Sequence, residues 1–168
     1  MDKRPPRLDS PVVPSAIKAM SRAQTWVYKR TGGRVGGKWR VGAGFRKPVP
    51  TLLLEHRGRK SGRTYTVPLL YLVVGGGPES GGDPLTDDLV VVASQGGLPT
   101  NPQWYRNLVA DPDVAVQIGS TRRAVRAHVA GADERERLWP ALVEQYADFA
   151  AYQSWTDRTI PVVVLQPR

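Results

Sequence analysis

This chain has no cysteine, only two histidines (His56 and His128), two methionines and two phenylalanines. Without cysteine there is no disulfide frame, no thiolate nucleophile and no cysteine-ligated metal site. Two histidines do not make a histidine-rich metal centre, so no metal is expected. No apolar run approaches the roughly 20 residues of a membrane-spanning helix, and no signal peptide is visible, so the chain reads as soluble and cytoplasmic. Gly75-Gly76-Gly77 and Gly96-Gly97 match neither a dinucleotide-binding fingerprint nor a P-loop. A Ser-His-acid triad would need His56 or His128, both in strand-like stretches without a nucleophile elbow. The acidic clusters Asp83–Asp88 and Asp133–Glu136 read as a loop and a helix start. An enzyme with no reactive set of its own borrows a cofactor, leaving the protein to bind and orient it.

What the chain does have is positive charge, unevenly placed. Its 168 residues suffice for one domain with a real core, and its net charge is +9. Residues 1–47 hold 12 lysines and arginines against Asp2 and Asp9, whereas the remainder holds 12 basic and 13 acidic residues. That reads as a basic N-terminal arm (1–47) on a near-neutral globule (48–168), the arm suited to an anionic surface or polymer. Within it, Ser15 to Arg30 reads as a helix. Ala16, Met20, Ala23, Trp26 and Val27 share one face, and Lys18, Arg22 and Lys29 the other. The pattern fits either an interfacial helix on an acidic bilayer or a surface helix packing its apolar side on the barrel or another subunit.

The most informative local feature is Gly58-Arg59-Lys60-Ser61-Gly62-Arg63. It lies between two β-rich runs, Thr51–His56 and Thr64–Val74, so the unit reads as a hairpin. Glycines permit a turn whose N–H groups can converge on an anion, and Arg59, Lys60 and Arg63 add charge. The alternative is that these charges only keep a sheet edge soluble.

Beyond an acidic, glycine-rich connection (Gly75–Asp88), Leu89–Ser94 reads as a strand. Asn101 is expected to cap a helix with Pro102 at its first position. Val114–Ile118 and Val125–Val129 alternate around Gly119-Ser120 as a second hairpin, with Arg122, Arg123, Arg126 and His128 on its polar side. Asp133 with Glu136 suggests a capping box for a helix to Tyr146. A helical turn at 148–155 and a strand at 160–165 complete an α+β domain: a split β-barrel of about six mostly antiparallel strands with flanking helices. Ser94–Gly97, Asn101–Tyr105 and Tyr146–Trp155 could hold a planar cofactor between small residues and aromatic walls. The same aromatics could equally be packing, which is the expected role of Tyr105 and Trp155.

Gly58-Arg59-Lys60-Ser61-Gly62, Ala93-Ser94-Gln95-Gly96-Gly97, Asn101 through Leu108 and Tyr152 through Pro161, in that order, resemble the deazaflavin (F420)-dependent nitroreductase family of actinobacteria. The resemblance implies a split barrel binding reduced coenzyme F420. It also implies hydride transfer to a quinone of menaquinone type or to an activated nitro compound, often at the membrane. By position, Arg59 and Lys60 match residues that hold the coenzyme's phosphate and glutamyl tail, with Ser61 and Gly62 in the same loop. Ser94 and Gln95 fall beside the deazaflavin, and Gln103 and Trp104 match residues lining the ring pocket. Ser94, Tyr146 and Tyr152 match residues on the catalytic, substrate-facing side, where a third tyrosine is Phe149 here. Gln95 replaces an expected lysine, Leu70 an expected tyrosine and Tyr65 an expected arginine. These departures bear more on nitroimidazole activation than on quinone reduction, which needs an apolar slot and a proton source. Two other readings stay open: an FMN-binding split-barrel reductase, and a non-enzymatic basic module for nucleic acid. No nucleic-acid partner is expected, since the globule is near neutral and carries no such motif.

Overall fold

A computed structural model describes residue 10 and residues 12–45, 47–75 and 82–168. The Pro-Pro-Arg start and positions 76–81 of the acidic connection lie outside the described residues.

The helix expected from Ser15 spans Val12–Thr31 (α1), and Lys38–Trp39 (β1) then pairs with the start of Val49–Arg57 (β2). Strand β2 is the hub. Thr64–Leu70 (β3) pairs along one edge, with Leu54 opposite Val67 and His56 opposite Tyr65, and Asp113–Ile118 (β6) pairs along the other. The run 64–74 is broken at Tyr71. Beyond it, Leu72–Val74 (β4) pairs with Asp88–Val92 (β5) instead of β2. Tyr71 is held at this transfer point by its amide on Pro50 O (3.2 Å) and its carbonyl on Gln145 Nε2 (3.1 Å). Strand β5 pairs with Val162–Pro167 (β8), β8 with Thr121–Val129 (β7), and β7 with β6, every pair antiparallel. Counting β3 and β4 as one bent strand, six strands close the curled sheet, with short β1 beside them.

The apolar runs of β2, β5 and β8 do not alternate with polar residues because both of their faces are covered. Leu52, Leu54, Leu89, Val91, Val163 and Leu165 fill the barrel interior. Val90, Val92, Val162 and Val164 face outward, under Ala132–Gln145 (α3) and Asp148–Ser154 (α4) through Leu142, Tyr146 and Phe149. Each fully buried Leu or Val contributes about 1.5–3 kcal/mol relative to exposure. Gln103–Ala110 (α2) closes one end of the barrel with Trp104 and Leu108.

Several local expectations shift. Pro102 is the N-cap of α2 and Asn101 does not cap it; the Asn101 side chain accepts from Arg158 instead (2.7 Å). Helix α3 has Gly131 at its N-cap without a side-chain cap, while Glu134 meets His128 at 3.1 Å. Arg123 leaves the polar side of its hairpin: strand parity puts it with Val125 and Ala127 facing inward, half-buried, its Nη2 on Asp87 O at 2.7 Å. Burial lowers its pKa from the ordinary arginine value.

Helix α1 docks through its less apolar side. Tyr28 is buried, donating to Thr51 O (3.0 Å) and accepting from the Gly119 amide (2.9 Å). The face carrying Met20 and Trp26 points outward, with Trp26 65% exposed, so packing of this face on its own barrel is excluded. Among the described residues no helix is long and apolar enough to cross a membrane.

Candidate functional site

The strand register places the end of β2, the start of β3, the end of β5 and the start of β8 at one rim of the barrel. The basic turn, the Ser94 loop and the segment before β8 therefore share a neighbourhood although they are up to about a hundred residues apart.

In the basic turn, Gly58 N donates to Arg63 O (2.8 Å) and Gly62 N to Gly58 O (2.7 Å). The Arg59 amide is also engaged, by Asn107 Oδ1 at 3.2 Å. The expected convergence of amides on an anion is therefore largely spent within the protein, and side-chain charge remains. Arg59 Nη1 donates to Gln103 Oε1 (2.9 Å) and Asn107 Oδ1 (3.2 Å), so the turn is stitched to α2 by neutral oxygens. Lys60, Ser61 and Gly62 are exposed. Among the described residues Arg59, Lys60 and Arg63 meet no carboxylate, which leaves their charge uncancelled. A Cβ at Gly58 would lie 2.6 Å from Ser61 Oγ and 2.7 Å from the Tyr65 ring, so both exposed side chains would have to shift to admit one.

Beyond β5 the chain turns sharply. Gln95, Gly96 and Gly97 have φ of 48°, 64° and 75°, so a non-glycine residue sits in the left-handed region at the start of a glycine pair. Such a conformation costs on the order of 1 kcal/mol and persists only when its surroundings impose it. Arg158 imposes it here. Its guanidinium donates to Ala93 O (3.1 Å), Ser94 O (2.8 Å), Leu98 O (2.9 Å) and Asn101 Oδ1 (2.7 Å). Ser94 is buried, and Gln95 Oε1 is buried without a hydrogen-bond partner among the described residues. A buried orphan acceptor is unfavourable unless something donates to it.

Gly97 lies against α4: a Cβ would be 3.0 Å from Tyr152 O and 3.1 Å from Trp155 Cε3. This contact joins the Ser94 loop to the aromatic group. Tyr146 and Tyr152 hydroxyls are 3.4 Å apart, and Trp39 Nε1 donates to the Tyr146 hydroxyl at 3.3 Å. Burial raises both tyrosine pKa values, Tyr146 the more strongly, so both stay protonated. Tyr146 is 3% exposed and acts as packing beneath the half-buried Tyr152. Trp104, expected in a ring pocket, sits in the barrel interior at 7% exposure, edge-on to Tyr105.

The structure thus brings Arg59 and Gln103 together, and Ser94, Gln95 and Tyr152 around one glycine contact, while Trp104 faces the core. Hollows of about 450 Å³ beside His56 and Arg122, and of about 370 Å³ along Gly33–Arg40, take in none of the expected residues. The candidate site is an open rim. The sequence marks no site role for Asn107, Arg158 or Trp39, and for His56 none beyond the triad set aside above. Asn107 and Arg158 lie inside the motifs already singled out, but only their long-range bonds show their roles.

An exposed cationic turn, an orphan acceptor on a strained loop and open space at Gly62 and Gly96, where a Cβ would meet nothing within 4 Å, suit a ring-bearing ligand with an anionic tail. Fold and rim define a split-barrel, ligand-binding type of domain. The family model for F420H(2)-dependent quinone reductases matches residues 20–167, and the chain belongs to that family. Coenzyme F420 is accordingly its cofactor. The Mycobacterium tuberculosis protein Rv3178, also described as an F420H(2)-dependent quinone reductase, is 57% identical over 129 residues, covering 77% of this chain and 99% of its own. F420H(2)-dependent quinone reductase Rv1261c of the same organism is 36% identical over 84% of this chain and 86% of its own. Among solved structures, an F420-H2 dependent reductase (FDR-A) has a TM-score of 0.59 at 36% identity, covering 70% of this chain and 94% of that one. Family membership selects the deazaflavin enzyme from the readings the sequence left open.

Proposed function

We propose that this protein reduces a quinone of menaquinone type by two electrons at the rim formed by the Gly58–Arg63 turn, the Ser94–Gly97 loop and α4. When bound, reduced coenzyme F420 supplies a hydride, and with one proton this converts a quinone to its hydroquinone. Arg59 and Lys60 hold the coenzyme's anionic tail, with Ser61 and Gly62 completing the turn. Charge-assisted bonds of this kind are worth about 1.5–3 kcal/mol each. Gln95 offers its orphan acceptor to a ring N–H, and Gln103 braces Arg59 beside the ring. Trp104 acts from the core by fixing α2. In this reading the Ser94 hydroxyl and Tyr152 O–H hydrogen-bond the developing oxyanion, and Tyr146 orients Tyr152. An activated nitro compound is the second acceptor class, favoured less because Leu70 and Phe149 lack hydroxyls.

The observation carrying this reading is the strained Gln95, whose buried oxygen has no partner among the described residues, at the same rim as an uncancelled cationic turn. The test is coenzyme titration of the R59A/K60A protein. The dissociation constant is expected to rise at least a hundredfold with the fold retained; an unchanged constant sinks the anchor.

The basic arm is proposed to rest on an anionic membrane surface. Trp26 is exposed on α1 with the Arg30 guanidinium over its ring (5.8 Å), Met20, Lys18 and Arg22 are exposed on the same helix, and each cation near such a surface contributes about 1 kcal/mol. Trp26→Ser should at least halve co-sedimentation with phosphatidylglycerol vesicles, and undiminished sedimentation refutes it.

A further inference from the structure

Arg59 is held by two neutral amide oxygens, Gln103 Oε1 and Asn107 Oδ1, and by no carboxylate among the described residues. A carboxylate would fix the guanidinium and cancel its charge at once. An amide oxygen fixes it and leaves the charge for an anion. An amide has a donor end as well, however, and if flipped it would present N–H to N–H. Something must set its direction.

The Asn107 side chain is buried, and its Nδ2 lies 3.1 Å from His56 Nδ1. His56 is buried too, and burial lowers its pKa to about 4. It is therefore neutral at ordinary pH, with a lone pair on Nδ1 that accepts from Asn107 Nδ2 and leaves the proton on Nε2. That acceptor points Asn107 Oδ1 at both the amide and the guanidinium of Arg59. The imidazole itself stacks on Tyr65, ring centroids 5.9 Å apart, and the Tyr65 hydroxyl is 3.1 Å from Ser61 Oγ. Both limbs of the basic turn thus lean on one uncharged histidine.

We infer that Asn107 and His56 are positioning residues for coenzyme binding, His56 setting the Asn107 amide and Asn107 setting Arg59. The inference rests on the reading of Arg59 as an anchor for the coenzyme's anionic tail. The other ionisable groups around His56 are Glu55 and Arg57 on its own strand, Tyr65 on β3, Asp111 after α2, Asp113 on β6 and Arg122 on β7. Three of them are already paired: Glu55 with Arg122 at 2.9 Å, and Asp113 with Arg126 at 3.0 Å.

The test is Asn107→Asp, nearly isosteric, in wild-type and Arg59→Ala backgrounds, read by titration with coenzyme F420 and by nitrogen chemical shifts of His56 in the unliganded protein. A carboxylate at 107 offsets the Arg59 charge and cannot donate to neutral His56. N107D should therefore weaken coenzyme binding about tenfold in the wild-type background and less than twofold further with R59A. It should also raise the His56 pKa by at least one unit. His56→Phe keeps the stacking ring, removes the acceptor and should weaken binding only where Arg59 is present. Equal losses in both backgrounds, or an unmoved His56 titration in N107D, overturn the inference while leaving Arg59 an anchor. If R59A itself binds as wild type does, the anchor reading falls and the inference with it.

Discussion

Replacing Arg158 is the most direct test of how the rim is built. One guanidinium serves four neutral oxygens between Ala93 and Asn101, at 2.7–3.1 Å. Burial lowers its pKa from the ordinary arginine value, though it stays charged at neutral pH. Removing the donor from such acceptors costs about 1–3 kcal/mol apiece where water cannot enter. Arg158 is half-buried, so water replaces some of these bonds, and Arg158→Ala should lose about 3–5 kcal/mol in total. For a chain of this length that is roughly 10 °C in Tm. Arg158→Lys keeps the charge but not the planar fork and should still lose about 2 kcal/mol. Both variants release the strained Gln95 turn, so coenzyme F420 should bind about tenfold more weakly even where the protein remains folded. Scanning calorimetry and coenzyme titration measure the two effects. An Arg158→Ala protein melting within about 2 °C of wild type, or full rescue by lysine, refutes the clamp.

Two further expectations follow from local geometry. Gly97→Ala places a methyl 3.0 Å from Tyr152 O at φ 75°, whereas Gly62→Ala, at φ 66°, meets open space. The first should cost about 3 kcal/mol and the second about 1 kcal/mol in chemical denaturation, and equal costs would refute a contact role for Gly97. His56, neutral in the fold with a pKa of about 4 against 6.5 when unfolded, makes stability depend on pH. Its contribution is fully present above pH 6.5 and is lost as pH falls to about 4, because the unfolded chain takes up a proton that the native one refuses. The span is about 3 kcal/mol. His56→Phe should remove that part of the pH slope in urea midpoints at pH 7, 5 and 4, and an unaltered slope would refute it.

Hairpins and most helices were legible because their signals are local: apolar runs, glycine turns and helical periodicity; the bend at Tyr71 within the 64–74 run carried no such signal. Asn101 and Asp133 misled for one reason. Each has the residue type that caps helices, yet the Asn101 side chain was claimed by an arginine 57 positions away, and α3 starts at Gly131 without a side-chain cap. Arg123 was misplaced because arginine is normally a surface residue, and strand parity overrode composition. Trp104 looked like a pocket wall because aromatic residues serve cores and pockets alike, and only the burial of α2 separates the two.

From its residues alone the chain determined its family, its antiparallel barrel and the cationic turn, since these depend on residue type and short spacing. Tertiary structure alone decided which polar groups brace that turn, how deeply each tyrosine of the aromatic group is buried and which face of α1 is left to solvent. Hydrogen-bond partners and burial depend on segments tens of residues apart, and no local pattern encodes that pairing.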